Sequence, residues 1–168
     1  MDLMDFDQAT LYFDEPVAPE VEALVAEAAM NYGEALAESL LLKAYFLAPE
    51  SLLVLVALYR YYFYQHRLAD ALVVADRTLS LTSRRLGFPE AWTQLHPDFL
   101  GQAVLKSMGL LRFYLSVLKA TAYINLRLRR TDQGRALLDK LIELDSHDRL
   151  GGRALLEVID RAAAEAAV

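Results

Sequence analysis

Cysteine is absent from the 168 residues. That removes disulfide frameworks, cysteine-ligated zinc and thiol nucleophiles together. Isoleucine occurs three times and valine eleven times, against 33 leucines and 25 alanines. Sheets draw on β-branched residues, whereas Leu and Ala are strong helix formers. Seven glycines and five prolines are too few to punctuate a β-sandwich or barrel. Long apolar runs are missing as well. The longest stretch without a charge is residues 51–59, about half the length of a membrane span. The first seven residues contain no base, so they lack the opening of a secretory signal. A cytoplasmic protein that does not associate with membranes is the expectation.

Positive charge is missing from one whole segment. Residues 1–42 carry ten acids and no base, and residues 43–168 carry 13 acids and all 17 bases. The net charge of −6 conceals this split. The acidic segment is either a solvated surface or a partner for the mildly basic remainder. Neither part is basic enough to suggest a nucleic-acid surface.

What remains is an all-α pattern. Residues 1–16 alternate Asp and Glu with Leu, Met, Phe and Tyr up to Pro16, and read as an extended acidic arm. Residues 17–168 read as a single helical domain. Leu24, Val25 and Ala28, then Leu36, Leu40, Ala44 and Leu47, fall at the three- and four-residue spacing of a helix. A turn is expected at 31–33 and a stop at Ala48 and Pro49. Pro49 and Glu50 are expected to open a third helix through Leu52, Leu55, Leu58 and Tyr62. His66 and Arg67 mark a tight turn before a fourth helix that carries Ala71, Leu72, Ala75 and Leu79 and ends near Leu81. An irregular stretch follows over 82–96. The helical pattern restarts at Pro97 and Asp98 and continues to Leu128, with a break expected at 107–109. Thr131 is expected to cap a further helix through Leu137, Leu138, Leu141 and Leu144. A final helix is expected over 148–166.

The pattern repeats. With a step of 34, Leu24 matches Leu58, Ala28 matches Tyr62, Ala37 matches Ala71, Leu41 matches Ala75 and Ala44 matches Thr78. A further 63 residues on, Gly134, Leu138 and Leu141 stand in the places of Ala71, Ala75 and Thr78. An alternative register aligns Glu34, Ala35 and Leu36 with Asp70, Ala71 and Leu72 at a step of 36. One helix pair cannot bury its own apolar face, so copies stack and share a core. The longer second interval implies an insertion, placed at about 84–112. Phe88, Trp92, Leu95 and Phe99 are expected to anchor it, because so much apolar surface is costly in water. Leu150, Leu155, Leu156 and Ile159 are expected to make 148–166 a capping helix for the open end.

These residues resemble the tetratricopeptide repeat family, whose 34-residue helix pairs carry small or apolar residues at fixed places. Residues 44–49 and 141–146 look like that family's repeat endings, although only Pro49 fills the proline position. The resemblance covers residues 18–82 and 113–146. It implies a right-handed solenoid of about three helical hairpins with an insertion and a capping helix. It also implies a concave groove lined by the first helix of each pair. Carried over, the partner-binding positions are Arg60, Phe63 and Tyr64 in the second copy and Ser116, Lys119, Tyr123, Leu126 and Arg127 in the third. The first copy supplies Glu22, Ala26 and Ala29. Such a groove is aromatic and basic at its centre and suits an extended peptide with acids and large apolar side chains. Asn125 does not fall where some members use paired asparagines to clamp a terminal carboxylate.

Signs of catalysis are weak. His66, His96 and His147 lie in three separate predicted turns, so no histidine pair sits four apart on a helix. Asp145, His147 and Asp148 come nearest to a metal cluster, but their place before a helix favours capping. Gly151 and Gly152 lack the pattern of a phosphate loop. No catalytic residue, metal or cofactor is expected. The strangest feature is Tyr59, Tyr61, Tyr62, Phe63 and Tyr64, with Arg60 among them. Core packing on two sides accounts for Tyr62 and Tyr59, which leaves the others to face a partner protein or a second copy in a homo-oligomer. The expectation is therefore a non-enzymatic adaptor or chaperone-like module. The alternative is a structural homo-oligomer with helix 52–65 at the interface. The acidic arm is complementary to Arg60, Lys119 and Arg127, so it either docks along the concave face of its own chain or a neighbour's, or stays solvated as short acidic termini usually do.

Overall fold

The computed structural model describes residues 15–166. Most of the predicted arm, and its docking, lie outside the described residues. Among those described there are seven α-helices, one short 3-10 turn at Trp92–Gln94 and no strand. The helices are α1 (Pro19–Met30), α2 (Ala35–Leu47), α3 (Leu52–Tyr64), α4 (Leu68–Leu86), α5 (Asp98–Arg127), α6 (Thr131–Leu144) and α7 (Gly152–Ala166). Each packs on the next in sequence, and α1 also touches α3. None is long and apolar enough to cross a membrane.

The burial pattern follows the 34-residue step. At a step of 34, Leu24, Ala28, Ala37, Leu41 and Ala44 are all buried, and so are their partners Leu58, Tyr62, Ala71, Ala75 and Thr78. A step of 36 would set exposed Ala35 and Leu36 against buried Ala71 and Leu72. The 63-residue step recurs in the backbone itself. His66 and Arg129 both take left-handed conformations, at φ 58° and 61°. Just after them the amide of Arg67 donates to Tyr62 O, and that of Arg130 to Asn125 O, each at 2.9 Å. These bonds satisfy carbonyls left open at the ends of α3 and α5. The endings of α2 and α6 also match, 97 residues apart. The amide of Ala48 donates to Ala44 O at 2.9 Å and that of Asp145 to Leu141 O at 2.8 Å.

The insertion begins where this ending fails. The corresponding residue in the second copy is Thr82, which is fully buried and donates its hydroxyl to Thr78 O at 2.7 Å. Helix α4 therefore continues to Leu86 instead of stopping near Leu81, and Gly87 terminates it at φ 77°. The irregular stretch is correspondingly shorter than expected. Phe88 and Leu95 are buried and Trp92 packs against the core. The Phe88 ring meets Tyr114 at 5.2 Å and Phe99 at 6.4 Å, while Phe99 itself stays partly exposed. Lys140 Nζ on α6 donates to Leu95 O at 2.8 Å and fastens the segment to the third pair. Helix α5 breaks at Ser107, whose backbone is extended. Ser107 Oγ accepts the amide of Leu110 at 3.1 Å, so it serves as N-cap of the second segment, 108–127.

Other expectations need adjustment. Pro49 and Glu50 form the turn before α3, which begins at Leu52 with Ser51 as N-cap. Thr131 is the first residue of α6 and not its cap, which is Arg130. The last helix begins at Gly152, not 148. Gly151 takes φ 68°, and a Cβ on Gly152 would stand 3.2 Å from Leu141 and Ile142, so the pair turns the chain and lets α7 lie close on α6. Asp145 accepts the amide of Leu150 at 2.8 Å and Asp148 that of Arg153 at 3.1 Å. Asp148 thus satisfies an amide in the first turn of α7, whereas Asp145 holds the turn before the helix. Leu150, Leu155, Leu156 and Ile159 pack against the core.

Two outcomes follow from this packing. A Cβ on Gly134 would lie 2.6 Å from Leu126 Cδ2 and 3.1 Å from Ala122 O. Gly134→Ala gains about 1 kcal/mol of helix propensity but overpacks the α5–α6 contact at a cost of about 1–3 kcal/mol. A net loss of about 1 kcal/mol is expected in urea denaturation, and in a Leu126→Ala background the same change should turn stabilising. Second, burial raises the phenols of Tyr62 and Tyr114 from the ordinary value near 10 to about 12, and for Tyr62 the hydrogen bond to Glu38 adds to the rise. A raised value means that the folded chain holds these protons more tightly, so their contribution is complete below pH 10 and is lost as pH climbs towards 12. The unfolding midpoint should fall over that window, and Tyr114→Phe should flatten the fall.

Candidate functional site

Helix α3 is apolar nearly all round, which is the pattern of a helix buried on several sides. It packs on α1, α2 and α4. Tyr59, Tyr61 and Tyr62 are consequently buried within their own chain, Phe63 is half-buried, and only Tyr64, at 41% exposure, faces largely outward. Tyr59 and Tyr62 are core residues as expected, and of the three assigned to outside partners Tyr61 is buried, Phe63 is half-buried and Tyr64 is exposed. The Tyr62 hydroxyl donates to Glu38 Oε1 at 3.1 Å, and Arg67 donates to the other Glu38 oxygen at 2.7 Å and to Asp70 at 2.8 Å. Arg67 also stands 4.6 Å over the Tyr62 ring. This network joins α2, α3 and α4 and holds the Arg67 guanidinium protonated through its bonds to Glu38 and Asp70.

The remaining aromatics form a string across the three repeats. Tyr32, in the turn after α1, meets Tyr61 at 5.8 Å and Tyr64 at 6.3 Å. Tyr64 meets Phe63 at 5.7 Å, Phe63 stacks on Tyr59 at 5.8 Å, and Phe63 reaches Tyr123 on α5 at 6.1 Å. Arg127 ends the string, donating to the Tyr123 hydroxyl at 3.0 Å with its guanidinium 5.7 Å from that ring. Each such ring pair contributes about 0.5–1.5 kcal/mol beyond the area it buries. Gln65 Nε2 donates to Tyr32 O at 3.3 Å and fixes the turn against α3. The Tyr32 phenol is raised above its ordinary value by burial and by Tyr64 beside it.

Between α1 and α3 lies a groove of about 520 Å³. Its walls are Val25, Ala29, Leu53, Val56 and Ala57, with Tyr32, Arg60 and Tyr64 at one end. The groove exists because the repeat pairs small residues with large ones. Ala28 and Ala29 of α1 occupy the register places that Tyr62 and Phe63 fill in α3. Its volume falls in the range of ligand-binding clefts, and its character is apolar with one cationic side chain.

Of the eight predicted partner-binding residues, Arg60 and Tyr64 line this groove, and Phe63, Tyr123 and Arg127 form the string beside it. The other three are engaged elsewhere. Lys119 Nζ donates to Leu150 O at 2.6 Å and ties α5 to the segment entering α7. Leu126 packs over Gly134 at the α5–α6 contact. The Ser116 hydroxyl returns to Arg112 O at 2.9 Å along its own helix. Asn125 is buried, and its amide donates to Thr121 O at 2.9 Å, so it serves the interior. Sequence reasoning missed Tyr32, Val25, Leu53, Val56 and Ala57. The signal for them was the alanines of α1 opposite the aromatics of α3.

Among the described residues the structure is all-helical, with an aromatic-ended groove between α1 and α3. No family model and no solved structure matches the chain. It is 50% identical over 165 residues to a protein of Azotobacter chroococcum mcd 1 described as "Uncharacterized 19.8 kDa protein in nifW 5'region", covering 98% of this chain and 92% of that one. The chain belongs to the family of that protein.

The string and the groove respond differently to truncation. Phe63→Ala removes the ring that joins α3 to α5 and should lower stability by about 2 kcal/mol, less than a full core truncation because Phe63 is half-buried. Tyr64→Ala, which gives up two ring contacts at the more exposed end, should cost about 1 kcal/mol. Chemical denaturation of both variants checks the order.

Proposed function

We propose that the chain is a non-enzymatic, cytoplasmic binding module of tetratricopeptide-repeat type that holds an extended, acidic and apolar peptide of a partner protein. The observation that carries the reading is the groove between α1 and α3, with apolar walls and Arg60 at its phenol-lined end. An extended peptide places alternate side chains on opposite sides, so large apolar residues enter such a groove while carboxylates remain at its rim near the guanidinium. The repeat register, which stacks successive pairs on matched buried positions, supports the solenoid reading. Self-association through α3 draws less support, because most of its aromatics are buried in their own chain.

The test is a fluorescence anisotropy titration with a labelled peptide that alternates Asp with Phe and Leu. Binding should weaken with added salt. Arg60→Glu should weaken it about tenfold, or about 1.4 kcal/mol. Ala29→Trp, at an exposed position of α1, should fill the groove and block binding. Binding indifferent to both substitutions, or no binding at all, would overturn the proposal.

A further inference from the structure

We infer that the groove between α1 and α3 is occupied by residues 1–14 of the same chain, which makes the N-terminal segment a built-in competitor for the partner peptide. This rests on the groove reading above and adds the regulation of that site.

The anchor comes first. Glu15 is bound by Arg85 at the end of α4, with Oε1 2.6 Å from Nη1. The same guanidinium donates to Glu50 O at 2.6 Å, in the turn that leads into α3. The Arg85 carbonyl in turn accepts Lys106 Nζ at 3.2 Å. Glu15, the first described residue, is therefore held at the end of α4, beside the turn that leads into α3. Leu53 lines the groove at that end of α3, and Arg60 and Tyr64 line it towards the other.

Reach and composition agree with this placement. Helix α3 has 13 residues and spans about 20 Å. Fourteen extended residues reach about 46 Å, so a part of the segment suffices to traverse the groove. The segment carries Asp2, Asp5, Asp7 and Asp14 and no base. Between the acids stand Leu3, Met4, Phe6, Leu11, Tyr12 and Phe13. These are the two kinds of side chain the groove accepts: apolar groups for its walls, and carboxylates for Arg60. A tethered segment acts at an effective concentration on the order of millimolar, so weak contacts hold it while a partner with a longer matching segment displaces it.

Hydrogen exchange of the full chain, followed by mass spectrometry at two protein concentrations, tests the inference. Amides 2–14 should exchange about tenfold or more slowly than an unprotected chain, and equally at both concentrations. Arg60→Glu and Ala29→Trp should each return them to the unprotected rate while the helices keep their protection. Unprotected exchange in the unmodified chain overturns the inference, as does protection that survives both substitutions. Protection lost on dilution also overturns it, by placing the segment on a second copy. A labelled peptide of sequence 2–14 separates the two readings. If the segment exchanges freely but the peptide still binds in a manner blocked by Ala29→Trp, self-occupancy fails and the groove reading stands. If the segment is free and the peptide does not bind, both fail.

Discussion

The closest packing between paired helices centres on small residues with no exposed surface or no room for a side chain. The residues there are Ala37, Ala71 and Gly134. The two alanines are fully buried, and at Gly134 even a methyl group would collide with Leu126. Small residues there fit the close packing of α1 on α2, of α3 on α4 and of α5 on α6. Where the second copy departs from the pattern, the departure is local. Thr82 continues the helix, and the inserted segment is folded back and fastened through Leu95 and Lys140.

Helix α3 receives neighbours on three sides and uses its aromatics accordingly. Tyr61 and Tyr62 serve the interior, Tyr59 and Phe63 stack, and Phe63 carries the contact across to Tyr123. Helix α1, at the end of the array, offers alanine where α3 offers aromatic rings. The mismatch in size between equivalent positions leaves the groove open between them. Interior packing and the groove wall are thus divided along one helix. The inward rings hold the repeats together, while Arg60 and Tyr64 finish the groove.

The expected groove followed the family resemblance along all three copies, whereas the observed one lies between α1 and α3, where Ala29, Arg60 and Tyr64 are the expected positions that line it. Lys119 and Leu126 account for much of the difference. Both occupy register positions that face away from their own pair, yet Lys119 reaches the carbonyl of Leu150 and Leu126 covers Gly134. The tie from Lys119 depends on the turn after α6, and no pattern local to α5 reports where that turn will lie.

The sequence by itself determined the helical class, the order of the helices and most of the buried positions. Those follow from spacings of three, four and 34 residues, and buried surface enforces them directly. It also placed the tight turn at His66, the break near Ser107 and the capping role of Asp148, because these depend on neighbours a few residues away. The tertiary structure alone decided how far α4 extends, which aromatics turn inward and where the groove opens. Each of those is settled by competition between helices for the same space, and a side chain's share of that space is not defined until all the neighbours are in place.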